Sequence, residues 1–135
     1  MITYRIGNDL DLDAVIDLYR ASTLGERRPV DDRERMGRML AQANLVVTAW
    51  DEELIVGIAR SLSDFSYTTY LSDLAVRASH QRGGIGRELI RRTRQAAGVD
   101  TALVLLSAPA AVEYYPRIGF NQHQSAWWLR AGESI

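Results

Sequence analysis

Three glycines fall within four consecutive positions, Gly83 to Gly86, inside the sequence SHQRGGIGREL of residues 79–89. The stretch follows a predicted strand, YLSDLAV at residues 70–76. It leads into a segment with the apolar spacing of a helix, at Ile85, Leu89, Ile90 and Thr93. Glycine weakens the start of a helix, so its repeated use here indicates that something approaches the backbone closely. We therefore predict a ligand at a loop between a strand and a helix.

The glycine loop is a candidate anion site. The free N–H groups at a helix N-terminus carry partial positive charge, and glycines let a phosphate reach them without meeting a Cβ. Arg82 and Arg87 stand at the loop, and Arg91 lies one turn beyond. We expect a pyrophosphate here; the alternative is that the turn alone requires the glycines. There is no Gly-Lys-Ser/Thr, which excludes a Walker A loop, and Leu89 stands where a dinucleotide fingerprint has glycine.

Composition narrows the class of protein. A chain of 135 residues with 47% hydrophobic residues predicts a single domain over residues 1–135. We expect a cytoplasmic protein, because no signal peptide or membrane-spanning run is visible. The chain has no cysteine, which excludes disulfides, zinc–thiolate sites and cysteine nucleophiles. The net charge of −1 gives no indication of a nucleic-acid partner.

Periodicity and turn residues predict a three-layered α/β domain with the order β-α-α-β-β-β-α-β-α-β. A strand over residues 2–6 precedes a helix with Leu12, Val15, Ile16 and Tyr19 on one face. Asp31 and Glu34 approximate a capping box for a second helix, whose apolar face is Met36, Met39, Leu40 and Ala43. The apolar runs at residues 45–50 and 54–62, on either side of Asp-Glu-Glu, predict two strands paired as a hairpin.

The C-terminal third completes this order after the Arg-rich helix. The continuous apolar run at residues 102–107 predicts a strand covered on both faces. Residues 109–115 predict a short helix with Pro109 in its first turn. Residues 125–130 predict a last strand, which would place Trp127 and Trp128 on opposite faces, one in the core and one exposed or at a dimer contact.

Two motifs together resemble the GNAT superfamily, the Gcn5-related N-acetyltransferases. The acetyl-CoA motif Gln/Arg-x-x-Gly-x-Gly/Ala is met by Gln81, Gly84 and Gly86, after a strand that ends in Leu74, Ala75 and Val76. The second feature is an aromatic pair, three residues and Gly-Phe, met here by YYPRIGF at residues 114–120. The separation of the motifs and the predicted element order also agree, so the resemblance spans nearly the whole chain.

The resemblance implies a cleft for acetyl-CoA where the strands at residues 70–76 and 102–107 splay apart. In such enzymes an amine attacks the thioester directly in a ternary complex, with no acyl-enzyme and no metal. The implied cofactor-binding residues are those before, in and after the glycine loop: Leu74, Ala75, Val76, Gln81, Arg82, Gly83, Gly84, Ile85, Gly86 and Arg87. Family members often have Asn where Ala108 stands, so we expect that contact to be absent or made by Ser107.

Tyr115 matches the family's general acid, which protonates the departing CoA thiolate. An unperturbed tyrosine has a pKa of about 10, so it is protonated at pH 7 and can donate. The alternative is a core aromatic beside Tyr114. Pro116 follows directly and disfavours a helical Tyr115, so the direction of the hydroxyl stays open.

Asp73 is the candidate general base. The segment YLSDLAV resembles the Glu-Asp-Leu-Tyr-Val segment of polyamine-type members, whose Glu maps to Ser72 and whose Asp maps to Asp73. A buried unpaired charge is costly, so a carboxylate on a central strand must have either a catalytic or a structural role. An ion pair between Asp73 and an arginine is therefore an equal alternative to the general base. Asp64, Glu26 and His123 are weaker candidates, and a water chain can replace a dedicated base.

The acceptor site is expected in three loops, at residues 23–29, 64–70 and 121–128. Glu26, Asp64 and Asp73 favour an amine, whereas Arg27 and Arg28 favour a carboxylate or phosphate on the same substrate. The two arginines can equally be a solvated loop pair. Flat apolar surface would come from Phe65, Tyr67, Tyr70 and Trp127.

The resemblance thus predicts an enzyme that transfers the acetyl group of acetyl-CoA to a primary amine of a small molecule. Two alternatives stay open. One is acetylation of a protein N-terminus or side chain, and the other is a non-catalytic acyl-CoA-binding sensor. We also consider a homodimer, and expect neither a nucleic-acid nor a membrane partner.

Overall fold

A five-stranded sheet runs through the computed structural model, which describes residues 1–135. The strands lie in chain order: β1 (Ile2–Ile6), β2 (Leu45–Asp51), β3 (Leu54–Ser63), β4 (Thr68–Val76) and β5 (Ala102–Val104). The first four strands pair antiparallel, and β5 pairs parallel to β4. The predicted mixed sheet and the hairpin of β2 and β3 are confirmed.

Helices cover both faces of the sheet, which confirms the three layers. They are α1 (Leu12–Arg20), α2 (Arg33–Gln42), α3 (Ile85–Ala97) and the short α4 (Tyr114–Arg117). The side chain of Asp11 caps α1 by accepting the N–H of Ala14. The cap of α2 is Asp32, which accepts the N–H of Arg35, so the prediction of Asp31 was one residue early. Asp31 instead pairs with Arg20 at 2.8 Å.

Each face of the sheet has its own core. On one face α1 and α2 bury the predicted apolar positions, with Val15, Tyr19 and Met36 no more than 2% exposed. On the other face α3 buries Ile85, Leu89, Ile90 and Thr93, as predicted. Gly57 on β3 permits this close packing, because a Cβ there would lie 2.9 Å from the Cδ1 of Leu89.

The sheet opens between β4 and β5. These strands pair only from Thr68 opposite Ala102 to Tyr70 opposite Val104. Just beyond, β4 has a bulge: Asp73 pairs with Arg60 and Leu71 with Ser61, which leaves Ser72 as an extra residue. A bulge bends its strand. The rest of β4 therefore has a strand neighbour only on the β3 side, and a cleft opens on the other, as the resemblance implied.

The C-terminal third departs from the prediction. The strand predicted at residues 102–107 extends only to Val104, and it is not covered on both faces, since Val104 is 50% exposed. The helix predicted over residues 109–115 is a 3₁₀ turn, Pro109–Ala111, followed by α4. Tyr115 is helical, contrary to expectation, because Pro116 lies in the first turn of α4, where no N–H partner is needed.

The last predicted strand, at residues 125–130, is not formed. A strand requires a neighbour to satisfy its backbone, and no strand of the sheet pairs with this segment. Trp127 and Trp128 are both exposed, at 95% and 63%, so neither is a core residue. No helix in the structure is both long enough and apolar enough to cross a membrane.

Candidate active site

The cleft between β4 and the segment after β5 has a volume of about 1040 Å³. One wall comes from Leu71, Ser72 and Leu74–Val76 of β4. The opposite wall comes from Leu105, Leu106, residues 108–111 and α4. The glycine loop and the loop after α1 also line it. The cleft therefore brings the two predicted motifs together.

The glycine loop presents uncapped N–H groups to this cleft. Gly84 is the N-cap of α3 with φ 86°, and no side chain caps the helix. The first N–H of α3 bonded to the helix backbone is that of Glu88, which donates to the carbonyl of Gly84. The N–H groups of Ile85, Gly86 and Arg87 precede it, and these residues line the cleft. A helix start of this kind suits an anion.

The protein's own packing does not require all three glycines. A Cβ at Gly84 would meet nothing within 4 Å, although its positive φ favours glycine. A Cβ at Gly86 would meet Val76 and Leu74 only at 3.8 and 3.9 Å, which is ordinary contact. A Cβ at Gly83 would lie 3.9 Å from the carbonyl of His80. Space therefore remains over the loop for a ligand.

The arginines around the loop differ in what they contact. Arg82 and Arg87 line the cleft and form no salt bridge. Arg82 has φ 65°, an uncommon backbone conformation for a residue with a side chain. Arg91 donates to Glu88 at 2.9 Å, and the contacts of Glu88 with Arg91 and then Arg92 lower its pKa to about 2. Arg87 is thus the arginine of α3 available to an anion in the cleft, and the charge of Arg91 is offset by Glu88.

Most of the predicted cofactor residues lie on the cleft. Leu74, Ala75 and Val76 form part of its β4 wall, and the Nε2 of Gln81 donates to the carbonyl of Val76 at 2.9 Å. Ser107 does not line the cleft, whereas Leu105, Leu106 and Ala108 on either side of it do. Gly83 is also outside the lining, although its neighbours Arg82 and Gly84 are in it.

Tyr115 lies in the cleft wall, between Tyr114 and Phe120. The rings of both neighbours are inclined to it by 74°, with centroids 5.4 and 5.5 Å away. Burial, and then the neighbouring Tyr114, raise the pKa of the Tyr115 phenol, so it stays protonated at neutral pH. Its ring packs on the core beneath α3, but its hydroxyl has no hydrogen-bond partner in the chain. The residue is thus packed against the core and keeps its proton at neutral pH.

Asp73 is saturated with partners, which supports the ion-pair alternative and not a base. Its Oδ2 accepts from the hydroxyl of Tyr19 and the Nε of Arg60, both at 2.6 Å. Its Oδ1 accepts from the Nε of Arg28 at 2.7 Å and the hydroxyl of Ser72 at 3.2 Å. Burial alone would raise the pKa of this fully buried carboxyl, but the hydrogen bonds from Arg60 and Tyr19 and the charges of Arg60 and Arg28 hold it below its usual value. Four donors use the lone pairs that a base needs.

The structure separates the predicted acceptor residues. Glu26, Arg27 and Arg28 line the cleft, but Asp64, Tyr67, Tyr70 and His123 do not. Asp64 caps its own turn, since its Oδ1 accepts the N–H groups of Ser66, Tyr67 and Thr68, and these bonds lower its pKa. The turn holds Tyr67 at the surface, 79% exposed. The loop at residues 64–70 therefore does not contribute to the cleft in the predicted way.

Comparison with known families shows which family the chain belongs to. Residues 23–130 match the family described as the acetyltransferase (GNAT) domain. The chain belongs to the GNAT acetyltransferase family. No curated protein matches the sequence of this GNAT chain.

Solved structures share the GNAT fold of this chain. A GNAT family acetyltransferase from Streptococcus pneumoniae is 24% identical with a TM-score of 0.74, covering 97% of this chain and 99% of its own. An aminoglycoside N-acetyltransferase solved with CoA is 17% identical with a TM-score of 0.73, covering 96% and 94%. An aminoglycoside acetyltransferase from an uncultured soil metagenomic sample, solved with sisomicin, is 23% identical with a TM-score of 0.73, covering 98% and 97%.

Sequence reasoning missed two partners of this GNAT site, Tyr19 and Arg60. Tyr19 occupies an apolar helix position, which gives no sign of a polar role for its hydroxyl. Arg60 stands inside the apolar run LIVGIARSL, and a charge there is a usable signal, because a buried arginine needs a carboxylate. No group of three or more acidic or histidine side chains is placed to hold a metal ion.

Proposed function

We propose that this GNAT protein transfers the acetyl group of acetyl-CoA to a primary amine of a small molecule, by direct attack in a ternary complex. The observation that carries the proposal is the meeting of two features in one cleft. These are an uncapped helix start with room over its glycines and a protonated Tyr115 without a hydrogen-bond partner.

The cofactor would lie along the β4 wall. Its pyrophosphate would accept hydrogen bonds from the first N–H groups of α3, and Arg87 would add charge attraction. Its pantetheine arm would follow Leu74–Val76, where β4 has lost its strand neighbour, and a backbone N–H there would polarise the thioester carbonyl. The size of the cleft and the open space over Gly84 and Gly86 support this fit.

The transfer then needs one proton donor and one proton acceptor. The amine nitrogen attacks the thioester carbonyl carbon, a C–N bond forms, the C–S bond breaks, and the electron pair leaves on the CoA sulfur. Tyr115 gives its proton to that sulfur and regains one from solvent. Because Asp73 has no free lone pair, the proton of the amine passes to water.

The acceptor would enter past Glu26 and Arg27. Both side chains line the cleft without a salt bridge, whereas the neighbouring Arg28 is paired with Asp73. The two aminoglycoside acetyltransferases of the same fold support a small-molecule amine. The unpartnered hydroxyl of Tyr115 favours an enzyme over a sensor, which would need no acid. We place the reaction in the cytoplasm.

An acceptor panel with acetyl-CoA tests the proposal. It would contain spermidine, sisomicin, tyramine, an α-amino acid and a short peptide with a free N-terminus. Release of CoA thiol and the mass of the product would be measured together. We expect thiol release that depends on a small amine, with one acetyl group on the product. Acetylation of the peptide alone would favour the protein acetyltransferase. Binding of acetyl-CoA without any turnover would favour the sensor.

A further inference from the structure

The loop that follows α1 lines the cleft with residues 22–24 and 26–28, and we name residues 22–30 the acceptor loop. Its start is held against the end of α1. The hydroxyl of Ser22 donates to the carbonyl of Tyr19 at 2.9 Å and accepts the N–H of Leu24 at 3.2 Å. Gly25 packs so closely on the same carbonyl that a Cβ would lie 2.5 Å from it. The loop therefore has a defined first anchor.

Arg28 supplies a second anchor, to the strand that lines the cleft. Its Nε donates to the Oδ1 of Asp73 at 2.7 Å, and its Nη2 donates to the carbonyl of Ser72 at 2.8 Å. Its Nη1 donates back to the carbonyl of Arg27 at 2.8 Å. One guanidinium thus joins the acceptor loop to the bulge of β4 and braces the loop's own backbone. These bonds use three of its five N–H groups.

The anchor is separable from the fold. Without Arg28, Asp73 still has Arg60 and Tyr19, so its charge stays compensated in the interior. The Arg28 side chain is 23% exposed, whereas that of Arg60 is 9% exposed and also donates to the carbonyl of Met39 on α2. Loss of Arg28 should therefore free the acceptor loop while the core survives.

We propose that Arg28 is a positioning residue for the acceptor. It holds the acceptor loop, and with it Glu26 and Arg27, against β4 beside the reacting centre. It acts through Asp73 and Ser72, and does not bind an anionic group of the acceptor. The proposal rests on the proposed function, because it assigns the acceptor to this part of the cleft.

Hydrogen exchange tests the anchor without any acceptor. In Arg28→Gln we expect backbone amides of residues 23–30 to exchange at least tenfold faster, with the rest of the chain little changed. Arg27→Gln is the matched control, since it removes the same charge from the same loop and its side chain has no partner. It should leave these rates unchanged. Unchanged exchange in Arg28→Gln would overturn the anchor.

Kinetics test the consequence, with the amine of the panel that has the highest kcat/KM. In Arg28→Gln we expect the amine KM to rise at least fivefold, with kcat and the acetyl-CoA Kd within about twofold of the original. Arg28→Lys, which keeps the charge and can still reach Asp73, should recover part of the loss. Arg33→Gln, which removes a surface pair with Asp13, should change none of these values. An unchanged amine KM in Arg28→Gln would overturn the proposal.

The charge of the acceptor separates positioning from direct binding. If Arg28 positions the loop, Arg28→Gln raises the KM of tyramine or spermidine, which carry no anionic group, as much as that of the α-amino acid. If Arg28 instead binds an acceptor anion, the KM of the amines without an anionic group is unchanged, which overturns the proposal. Should no amine be turned over, the proposed function fails, and the exchange measurement still decides whether Arg28 anchors the loop.

Discussion

Asp73 and Tyr115, the two residues considered for proton transfer, differ in how far their polar atoms are already bonded within the protein. Asp73 is fully buried and accepts four hydrogen bonds, so its carboxylate has a structural role. Tyr115 is half-buried, keeps its proton and has no hydrogen-bond partner. A group that is free to exchange a proton in a cleft is the better candidate for chemistry. At the residue scale the account therefore depends on Tyr115.

Replacing Tyr115 by Phe keeps the ring between Tyr114 and Phe120 and removes only the hydroxyl. We expect kcat to fall by about 10–10³-fold, because general-acid assistance is of that order, with the acetyl-CoA Kd nearly unchanged. The alkaline limb of the kcat profile should disappear if it reports this phenol. Steady-state kinetics against pH, with calorimetric binding, measure both.

Tyr114→Phe is the comparison for this variant, since Tyr114 also lines the cleft. A large loss of kcat in Tyr114→Phe, with normal kcat in Tyr115→Phe, would transfer the acid role to Tyr114. A Tyr115→Phe protein with normal kcat and a lower Tm would make Tyr115 a core residue only.

Among the elements, α3 both packs on the sheet and contributes its N-terminus to the cleft. Its buried face lies on the sheet, and its uncapped N-terminus lies on the cleft. Arg87 stands in the first turn without a salt bridge, while Arg91, one turn on, is paired with Glu88. Variants of Arg87 and Arg91 therefore compare an unpaired charge with a paired charge on the same helix.

Arg87→Gln should weaken acetyl-CoA binding most at low ionic strength, because attraction between exposed charges is screened by salt. Arg91→Gln should have the smaller effect, since Glu88 already offsets that charge. Titration calorimetry between low and high salt gives the dependence for each variant. A loss in Arg87→Gln that is independent of salt would indicate a structural role instead.

The pattern of apolar and turn residues within short segments predicted several helices and strands correctly. The helical spacing of α1, α2 and α3 and the hairpin of β2 and β3 are properties of short segments, and the structure has them. The strand predicted at residues 125–130 depended on a neighbour, which β5 and the rest of the sheet do not supply. A strand is defined by pairing, so composition alone could not decide it.

The same limit applies to the site. The glycine loop and the aromatic motif are contiguous in sequence, so both could be recognised and both lie on the cleft. The bond between Arg28 and Asp73 joins residues 45 positions apart, and nothing local to either reveals it. For Asp64 the structure shows a local role, because its carboxylate accepts N–H groups of its own turn, and its place in the acceptor site stays a prediction.

At the scale of the whole molecule, the Asp73 network joins α1, α2 and the acceptor loop to the sheet. Through Tyr19 it reaches α1, through Arg60 it reaches β3 and the carbonyl of Met39 on α2, and through Arg28 it reaches the acceptor loop. Removing one partner from a buried ion pair typically costs about 3–5 kcal/mol, because an uncompensated charge remains. Stability should therefore depend on the ionisation of this one carboxyl.

The folded-state pKa of Asp73 is lower than that of an unfolded aspartate, about 3.9. Its contribution is then complete above the unfolded value and is lost as pH falls through the lower, folded value. We expect Asp73→Asn to lower the free energy of unfolding clearly at pH 7, and the difference from the original protein to shrink below about pH 4. Urea unfolding at several pH values measures this.

Asp13→Asn is the control for that comparison, because Asp13 pairs with Arg33 at the exposed surface. It should change stability little at any pH. A stability difference for Asp73→Asn that is the same at pH 7 and at pH 3 would show that packing, and not the charge of Asp73, is responsible.

The central claim is that the glycine loop is kept open for acetyl-CoA. Gly84→Val is a poor test, because φ at Gly84 is 86° and a branched residue would strain the backbone itself. Gly86→Glu is a better one, because Gly86 is helical, lines the cleft, and a Cβ there would make only ordinary contacts with Val76 and Leu74. Glutamate favours a helix more than glycine does, and an acidic side chain in the first turn stabilises it further.

The decisive measurement is the acetyl-CoA Kd of Gly86→Glu by titration calorimetry, with the Tm of the same sample and with Gly86→Ala as the control. For Gly86→Glu the account predicts a Tm equal to or above that of the original protein and a Kd at least tenfold higher, because the added carboxylate repels the pyrophosphate from the N–H groups of the helix start. Gly86→Ala should keep the original Kd, since the motif admits alanine at this position. An unchanged Kd in a Gly86→Glu protein of undiminished Tm would contradict the account.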